Sequence, residues 1–158
     1  MIRISIVLCL VVANTCWACP SSSVGAQAVE ELARTKPSMH WNQSSMVCAD
    51  FDGDGKLDQA IIGTEDNKVA VAVRRNAAAK RPKLQILEFT VGHGLQAAIC
   101  ELPVRLEVDN LVCRNEDGPL PGRKEGRNAR SLDLIDGECD SIHIYWSHVH
   151  KGFVWWRR

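Results

Sequence analysis

Hydrophobic and polar positions alternate in short runs along most of the chain, with the period of two that a β-strand imposes. Val69–Val73 alternates Val with Ala, and Val104–Val108 alternates apolar with charged residues. Ile142–Trp146 and Phe153–Trp156 lie on either side of a His-Lys-Gly turn, which predicts a hairpin. Three further short runs have β-type composition: Met46–Cys48, Ala60–Ile62 and Leu84–Phe89.

One segment has the helical period instead. Ala26–Thr35 has apolar residues at Val29, Leu32 and Ala33 with good helix formers between them. Pro37 disfavours helix in the residue before it and is expected to end this helix. The pattern as a whole predicts a mainly β (α+β) fold class, an antiparallel sheet or sandwich-like domain with one N-terminal helix.

The N-terminus has the form of a secretory signal peptide. A single Arg precedes the apolar run ISIVLCLVVA, which is too short for a bilayer that needs roughly 20 apolar residues. We expect cleavage after Ala26, so that residues 1–26 are a signal peptide and residues 27–158 form a single domain. Cleavage after Ala18 is an alternative, and a buried N-terminal helix with reduced cysteines is another.

The cysteine count favours the later cleavage. The chain has 7 Cys, and cleavage after Ala26 leaves an even set that can form two disulfides in an oxidising compartment: Cys48, Cys100, Cys113 and Cys139. Four cysteines allow three pairings. The strands that flank Cys100 and Cys113 could form a local hairpin, which favours a Cys100–Cys113 bond. Cys48 would then pair with Cys139. Cleavage after Ala18 leaves five cysteines, unless Cys19 becomes a lipid-anchored N-terminus.

The charge balance excludes some partners. Lys and Arg number 19 and so do Asp and Glu, so the formal net charge is zero, whereas a nucleic-acid-binding protein normally has a basic excess. The 46% hydrophobic content is that of a folded chain, and the length of 158 residues fits one domain. We therefore expect no nucleic-acid partner.

One short segment has the spacing of a metal-binding loop. Val47–Gly63 reads VCADFDGDGKLDQAIIG and contains a regular series of acidic residues: Asp50, Asp52, Asp54 and Asp58. Alternate residues of a tightly turning loop direct their carboxylates at a common centre, Gly55 permits the bend, and the carbonyl of Lys56 can add an oxygen. Ile61 stands where a helix-loop-helix calcium site has its bidentate Glu. The flanking residues are also strand-like rather than helical.

This segment resembles the DxDxDGxxD loop of FG-GAP (integrin α-propeller) repeats and of small secreted bacterial proteins. The resemblance covers Val47–Gly63 only and implies Ca²⁺ as cofactor in a hairpin loop. Its implied metal ligands are Asp50, Asp52, Asp54, Asp58 and the carbonyl of Lys56. It does not imply a propeller, because the motif occurs once. A solvated acidic turn and a magnesium site are the alternatives.

Three further constellations have both a binding and a structural interpretation. Trp155 and Trp156 must point to opposite sides of a strand, so one can enter the core while the other forms an exposed contact for a partner. In the alternative, both are covered by the fold. A basic cluster could face an anionic partner or lipid headgroups, or form an ordinary charged turn: Arg74, Arg75, Lys80, Arg81 and Lys83. His148 and His150 could share a face of a strand and bind a transition metal, but their turn position favours a solvated hairpin tip.

The function predicted from these features is that of an exported, calcium-binding, disulfide-stabilised binding or inhibitor module, without catalytic residues. The resemblance places it in the bacterial cell envelope, periplasmic or secreted, with another envelope or extracellular protein or a glycan as partner. A small envelope hydrolase with structural calcium is one alternative. Another is an immunity or lysozyme-inhibitor role, in which the Gly- and Pro-rich surface loop Arg114–Arg130 or the Trp-rich end fills an enzyme cleft.

Overall fold

The computed structural model describes residues 19, 22–94, 97–109, 114–115, 118–124 and 129–157. The apolar run of the predicted signal peptide, and Cys113 of the predicted disulfides, lie outside them. The described residues form one helix and a series of mainly antiparallel strands, which confirms the predicted fold class. Their bounds are α1 Ser22–Thr35, β1 His40–Ala49, β2 Asp58–Glu65, β3 Lys68–Arg75, β4 Lys83–Val91, β5 Ala98–Ile99, β6 Arg105–Asp109, β7 Arg114–Asn115, β8 Gly118–Pro119, β9 Ser131–Ile135, β10 Ile142–Ser147 and β11 Gly152–Trp156.

The longer strands form two sheets. The first has the order β1-β2-β3-β4-β5 and is antiparallel except where β5 pairs in parallel with the end of β4. The second has the order β11-β10-β9-β6 and is antiparallel throughout. The predicted hairpin is confirmed as β10–β11, with Trp146 opposite Phe153.

The alternation of Val and Ala in β3 sets the layers of the molecule. Val69, Val71 and Val73 are buried against the second sheet, in a core shared with Leu132 and Ile144. Ala70 and Ala72 point to the opposite face, where they pack against Leu32 of α1. Small residues on that face let the helix approach closely, so the order of layers is helix, first sheet, second sheet.

A partly buried ion pair fastens α1 to the first sheet. Arg74 belongs to the face of β3 that carries Ala70 and Ala72, and its Nη2 lies 2.7 Å from Oε2 of Glu31 in the helix. The Arg74 side chain is only 7% exposed. The helix ends at Thr35 as predicted but begins at Ser22 rather than Ala26.

The predicted disulfide pairing is wrong. The structure bonds Cys19 to Cys48 and Cys100 to Cys139. The prediction used proximity in sequence, whereas partners are set by the packing of segments that are distant in sequence. Cys48 lies near the end of β1 and Cys19 lies just before α1. The two cysteines come together because α1 packs on the first sheet.

The strand prediction was incomplete. β9 went unrecognised although Leu132 and Leu134 are fully buried at the centre of the second sheet. The predicted surface loop Arg114–Arg130 contains the short β7–β8 pair. Among the described residues, no helix is long and apolar enough to cross a membrane.

Candidate metal centre

The acidic segment is the connection between β1 and β2, and we call residues 50–58 the Asp loop. The carboxylate of Asp50 organises its first half. Its Oδ1 accepts the backbone N–H groups of Gly53 at 2.8 Å and of Asp54 at 3.1 Å. Its Oδ2 accepts the N–H of Gly55 at 2.9 Å. The two glycines have φ of +76° and +83°, a left-handed conformation that non-glycine residues rarely adopt.

Asp58 fastens the second half of the loop. As the first residue of β2 it is fully buried, and its two carboxylate oxygens accept backbone N–H groups from different segments. Phe51 donates to Oδ2 at 3.0 Å, and Asn76, which follows β3, donates to Oδ1 at 2.7 Å. Phe51 is itself 1% exposed and inserts into the main core. The loop is therefore held at both ends.

This folding brings three of the predicted metal ligands together. Asp50, Asp52 and Asp58 each offer a carboxylate oxygen, and these oxygens lie within 4.8 Å of one another in a buried cluster. Such an arrangement of hard oxygen donors can hold a metal ion and suits Ca²⁺, Mg²⁺ or Mn²⁺ better than a soft transition metal.

The other two predicted ligands lie differently. The Asp54 side chain is 40% exposed, and one of its oxygens is 3.7 Å from Nζ of Lys56. Oδ1 of Asp54 accepts the backbone N–H of Lys56 at 2.9 Å. Asp54 is outside the group of three carboxylates. Coordination by Asp54 and by the Lys56 carbonyl stays a prediction.

The electrostatics of the cluster are those of crowded, buried acids. Burial raises the pKa of Asp58 to about 7, against the lowering effect of the Asn76 N–H and with a further raising effect from the charge of Asp52. Burial likewise raises the pKa of Asp52, and the carboxylates of Asp54 and Asp50 add to that shift. A cation at the centre would favour the ionised form of these groups.

A cation from the protein already touches one member of the cluster. Nε of Arg75 lies 3.1 Å from Oδ2 of Asp52, and the Arg75 guanidinium carbon lies 4.0 Å above the centre of the Trp146 ring. Arg75 therefore links the Asp loop to the β10–β11 hairpin. The basic cluster expected from the sequence is thus divided, because Arg74 and Arg75 form internal ion pairs while Lys80, Arg81 and Lys83 are exposed.

At the Trp-rich end, one of the two adjacent Trp side chains packs on the core, as the first interpretation predicts. Trp155 packs on the main core and meets Phe89 edge to face with 6.0 Å between ring centres. Trp156 lies on the opposite side of β11 and stacks on His143 at 4.3 Å. Both Trp side chains are half-buried. His148 and His150 are exposed in the hairpin turn, as expected for a solvated tip.

Sequence reasoning missed a polar contact on the second sheet. Nδ1 of His143 lies 2.7 Å from Oδ1 of Asp133, its neighbour across β9 and β10. Recognition of SLDLI as a strand would have indicated it, because Asp133 is the polar position between Leu132 and Leu134.

A scan of the chain against protein-family models matches no family, and searches of curated proteins and of solved structures find no match. The similarity of the Asp loop to FG-GAP repeats accordingly stays a prediction.

Proposed function

We propose that this protein is an exported, calcium-binding and disulfide-stabilised binding module without catalytic activity. The observation that carries the metal assignment is the convergence of Asp50, Asp52 and Asp58 in a buried cluster. The partner is another envelope or extracellular protein or a glycan. The hydrolase and lysozyme-inhibitor alternatives remain predictions.

The physical reason for a metal is the cost of the cluster without one. Two carboxylates about 5 Å apart repel each other by roughly 3 kcal/mol at an effective dielectric constant near 20. A divalent cation turns this repulsion into binding energy. Calcium is favoured over magnesium by the spacing of the loop, since Asp54 and the Lys56 carbonyl can supply the additional oxygens that calcium accepts in a flexible shell.

An exported location is supported by the disulfides, since two such bonds are typical of oxidising compartments. The Cys19–Cys48 bond and the start of α1 at Ser22 both favour a signal peptide that ends at Ala18 over one that ends at Ala26. The later cleavage would remove Cys19 and the first turn of the helix. A lipid on the Cys19 sulfur and the disulfide exclude each other, because both use the same atom.

The metal proposal is tested by thermal unfolding of protein freed of divalent ions, with and without calcium. At a calcium concentration about 100-fold above Kd, binding to the folded state alone raises Tm by about 5–10 °C. Asp52→Asn keeps the shape of the side chain but removes its charge, and we expect it to abolish most of this rise.

Asp66→Asn is the matched control. Asp66 is exposed in the turn between β2 and β3 with φ of +43°, a conformation that Asn adopts readily. The Asp66→Asn substitution removes the same charge as Asp52→Asn and should leave the calcium-induced rise in Tm unchanged. Equal melting curves with and without calcium would contradict the metal site, and an equal or larger rise with magnesium would contradict the choice of calcium.

A further inference from the structure

Three turns lie together at one end of the two sheets, which we call the Asp-loop end. The Asp loop joins β1 to β2, residues 76–82 join β3 to β4, and residues 148–151 form the tip of the β10–β11 hairpin. The N–H of Ala77 donates to the carbonyl of Leu57 at 2.9 Å and so joins the first two turns. The side chain of Gln85, near the start of β4, bonds to the backbone of β11 beside the hairpin tip.

Four cations at the Asp-loop end are exposed. Lys80 and Arg81 lie in the turn between β3 and β4, Lys83 is the first residue of β4, and Lys151 lies in the hairpin tip. Within the described part of the chain, none of these four side chains has an ion-pair or hydrogen-bond partner. Their charges are therefore available to a partner.

The acids at the same end are already bonded within the protein. The three buried carboxylates of the candidate metal centre accept backbone N–H groups, and one of them also pairs with Arg75. The exposed carboxylate of Asp54 lies 3.7 Å from Nζ of Lys56. The four cations thus give the described surface of this end a positive charge, which a bound metal ion would increase.

The opposite end of the sheets has exposed charges of the other sign. Asp66 lies in the turn between β2 and β3, and the turn between β9 and β10 contains Glu138 and Asp140. Among the described residues, the unpaired cation at this end is Lys68. Charges separated in this way orient a molecule in an electric field, so an anionic surface would attract the Asp-loop end first.

An exposed apolar side chain lies among the cations. Val149, in the hairpin tip, is 72% exposed, more than the other exposed large hydrophobic residues in the described chain. Lys151 follows it two positions later. Cations around an apolar tip match the surface of an anionic membrane, where charged headgroups lie directly above an apolar layer. A soluble polyanion has no such layer, so the exposed Val149 favours a lipid surface.

We propose that the Asp-loop end docks on an anionic lipid surface, with Lys80, Arg81, Lys83 and Lys151 at the headgroups and Val149 inserted between them. Each Lys or Arg close to such a surface strengthens binding about fivefold, and salt weakens this attraction. This surface is additional to the proposed protein or glycan partner. Docking does not depend on the proposed metal.

The test is co-sedimentation of the protein with lipid vesicles in the absence of divalent ions. We expect binding to vesicles of mixed phosphatidylglycerol and phosphatidylcholine that weakens as salt is raised, and much weaker binding to phosphatidylcholine alone. The triple variant Lys80→Gln, Arg81→Gln, Lys83→Gln should bind the mixed vesicles about 100-fold more weakly, the combined effect of three cations near the surface.

The matched control removes the same number of positive charges from the opposite end. Arg34→Gln, Lys36→Gln, Lys68→Gln changes the net charge equally, at positions that flank the start of β1 and of β3. We expect it to leave vesicle binding nearly unchanged. Val149→Ser should weaken binding to the mixed vesicles about tenfold, the effect of no longer burying one apolar side chain.

Equal weakening in both triple variants would overturn the proposal, because net charge alone would then account for the binding. Equal binding to phosphatidylcholine vesicles would overturn it as well. A loss of binding in the cationic variant without any effect of Val149→Ser would indicate a site for a soluble polyanion and contradict the lipid surface. Thermal unfolding of each variant, measured alongside, verifies that it is folded.

Discussion

At the scale of single residues, Asp58 shows the conflict that a metal would resolve. Its carboxylate is fully buried and accepts two backbone N–H groups, from Phe51 and Asn76, which favour the ionised form. Burial and the neighbouring acids oppose this, and the balance leaves a pKa of about 7. In metal-free protein at neutral pH, the loop thus holds a carboxyl group that is only partly ionised.

This predicts an unusual pH dependence of stability. The folded, metal-free protein keeps the Asp58 proton up to about pH 7, whereas the unfolded chain releases it near the ordinary value of 3.8. The folded state therefore binds more protons between these values, and its free energy of unfolding should fall by a few kcal/mol as pH rises from about 4 to 7. Urea unfolding across this range measures the slope.

Asp58→Asn is the reference for this slope, because it removes the titration while losing one of the two N–H contacts. The difference in slope between the two proteins isolates Asp58 from the histidines. Parallel pH profiles would show that Asp58 titrates normally. Saturating calcium should remove the fall in the native protein, since the bound ion favours the carboxylate.

At the scale of elements, the two sheets are joined where β4 approaches β11. The side-chain amide of Gln85 donates from Nε2 to the carbonyl of Phe153 at 2.8 Å, and the N–H of Phe153 donates to Oε1 at 2.7 Å. β11 is an edge strand, so the outward N–H and C=O groups of Phe153 have no neighbouring strand to bond with. The Gln85 side chain supplies the missing partners for both groups. Gly152 leaves room for this contact, since its Cβ would lie 3.2 Å from Oε1.

Gln85→Glu should weaken this contact, because a carboxylate cannot donate to the Phe153 carbonyl. We expect the free energy of unfolding to fall by about 1–3 kcal/mol, the usual cost of leaving a half-buried polar group unpaired. Gln27→Glu, at an exposed position of α1, is the control. Equal unfolding curves for the two variants would show that the sheets are joined independently of Gln85.

At the scale of the whole molecule, covalent and ionic links tie the two ends of the described domain to the sheets. Cys19 connects the chain before α1 to β1, and Cys100–Cys139 connects the chain after β5 to the turn before β10. Near the C-terminus, Arg157 forms a buried ion pair with Asp136 at 2.6 Å and donates to the carbonyl of Ala98. Both termini of the described domain are thus held.

Removal of the first disulfide by Cys19→Ala with Cys48→Ala should lower the free energy of unfolding by about 3–4 kcal/mol, given the separation of 29 residues that the bond closes. Peptide mapping of the native protein without reductant should find Cys19 linked to Cys48. An N-terminus at Gln27, or a Cys48 that reacts with an alkylating reagent before reduction, would contradict this pairing.

The strands and the acidic loop were predictable because their signals are local. Alternation in Val69–Val73 and in the β10–β11 hairpin reflects the two faces of a strand, and the Asp spacing reflects the geometry of one turn. β9 was missed because five residues with a single acidic position give a weak signal. The disulfides were mispredicted because sequence proximity says little about which distant segments pack together.

By itself, the sequence determined a mainly β domain with one helix and a loop whose acidic residues can converge, since both follow from local periodicity. The tertiary structure decided which of those acids are buried, as Asp58 is and Asp54 is not. It also decided that Arg75 reaches Asp52 and that the carbonyl of Gly122 accepts a hydrogen bond from the hairpin. Such contacts depend on how sheets and loops pack across long separations in sequence, and only the folded chain brings them together.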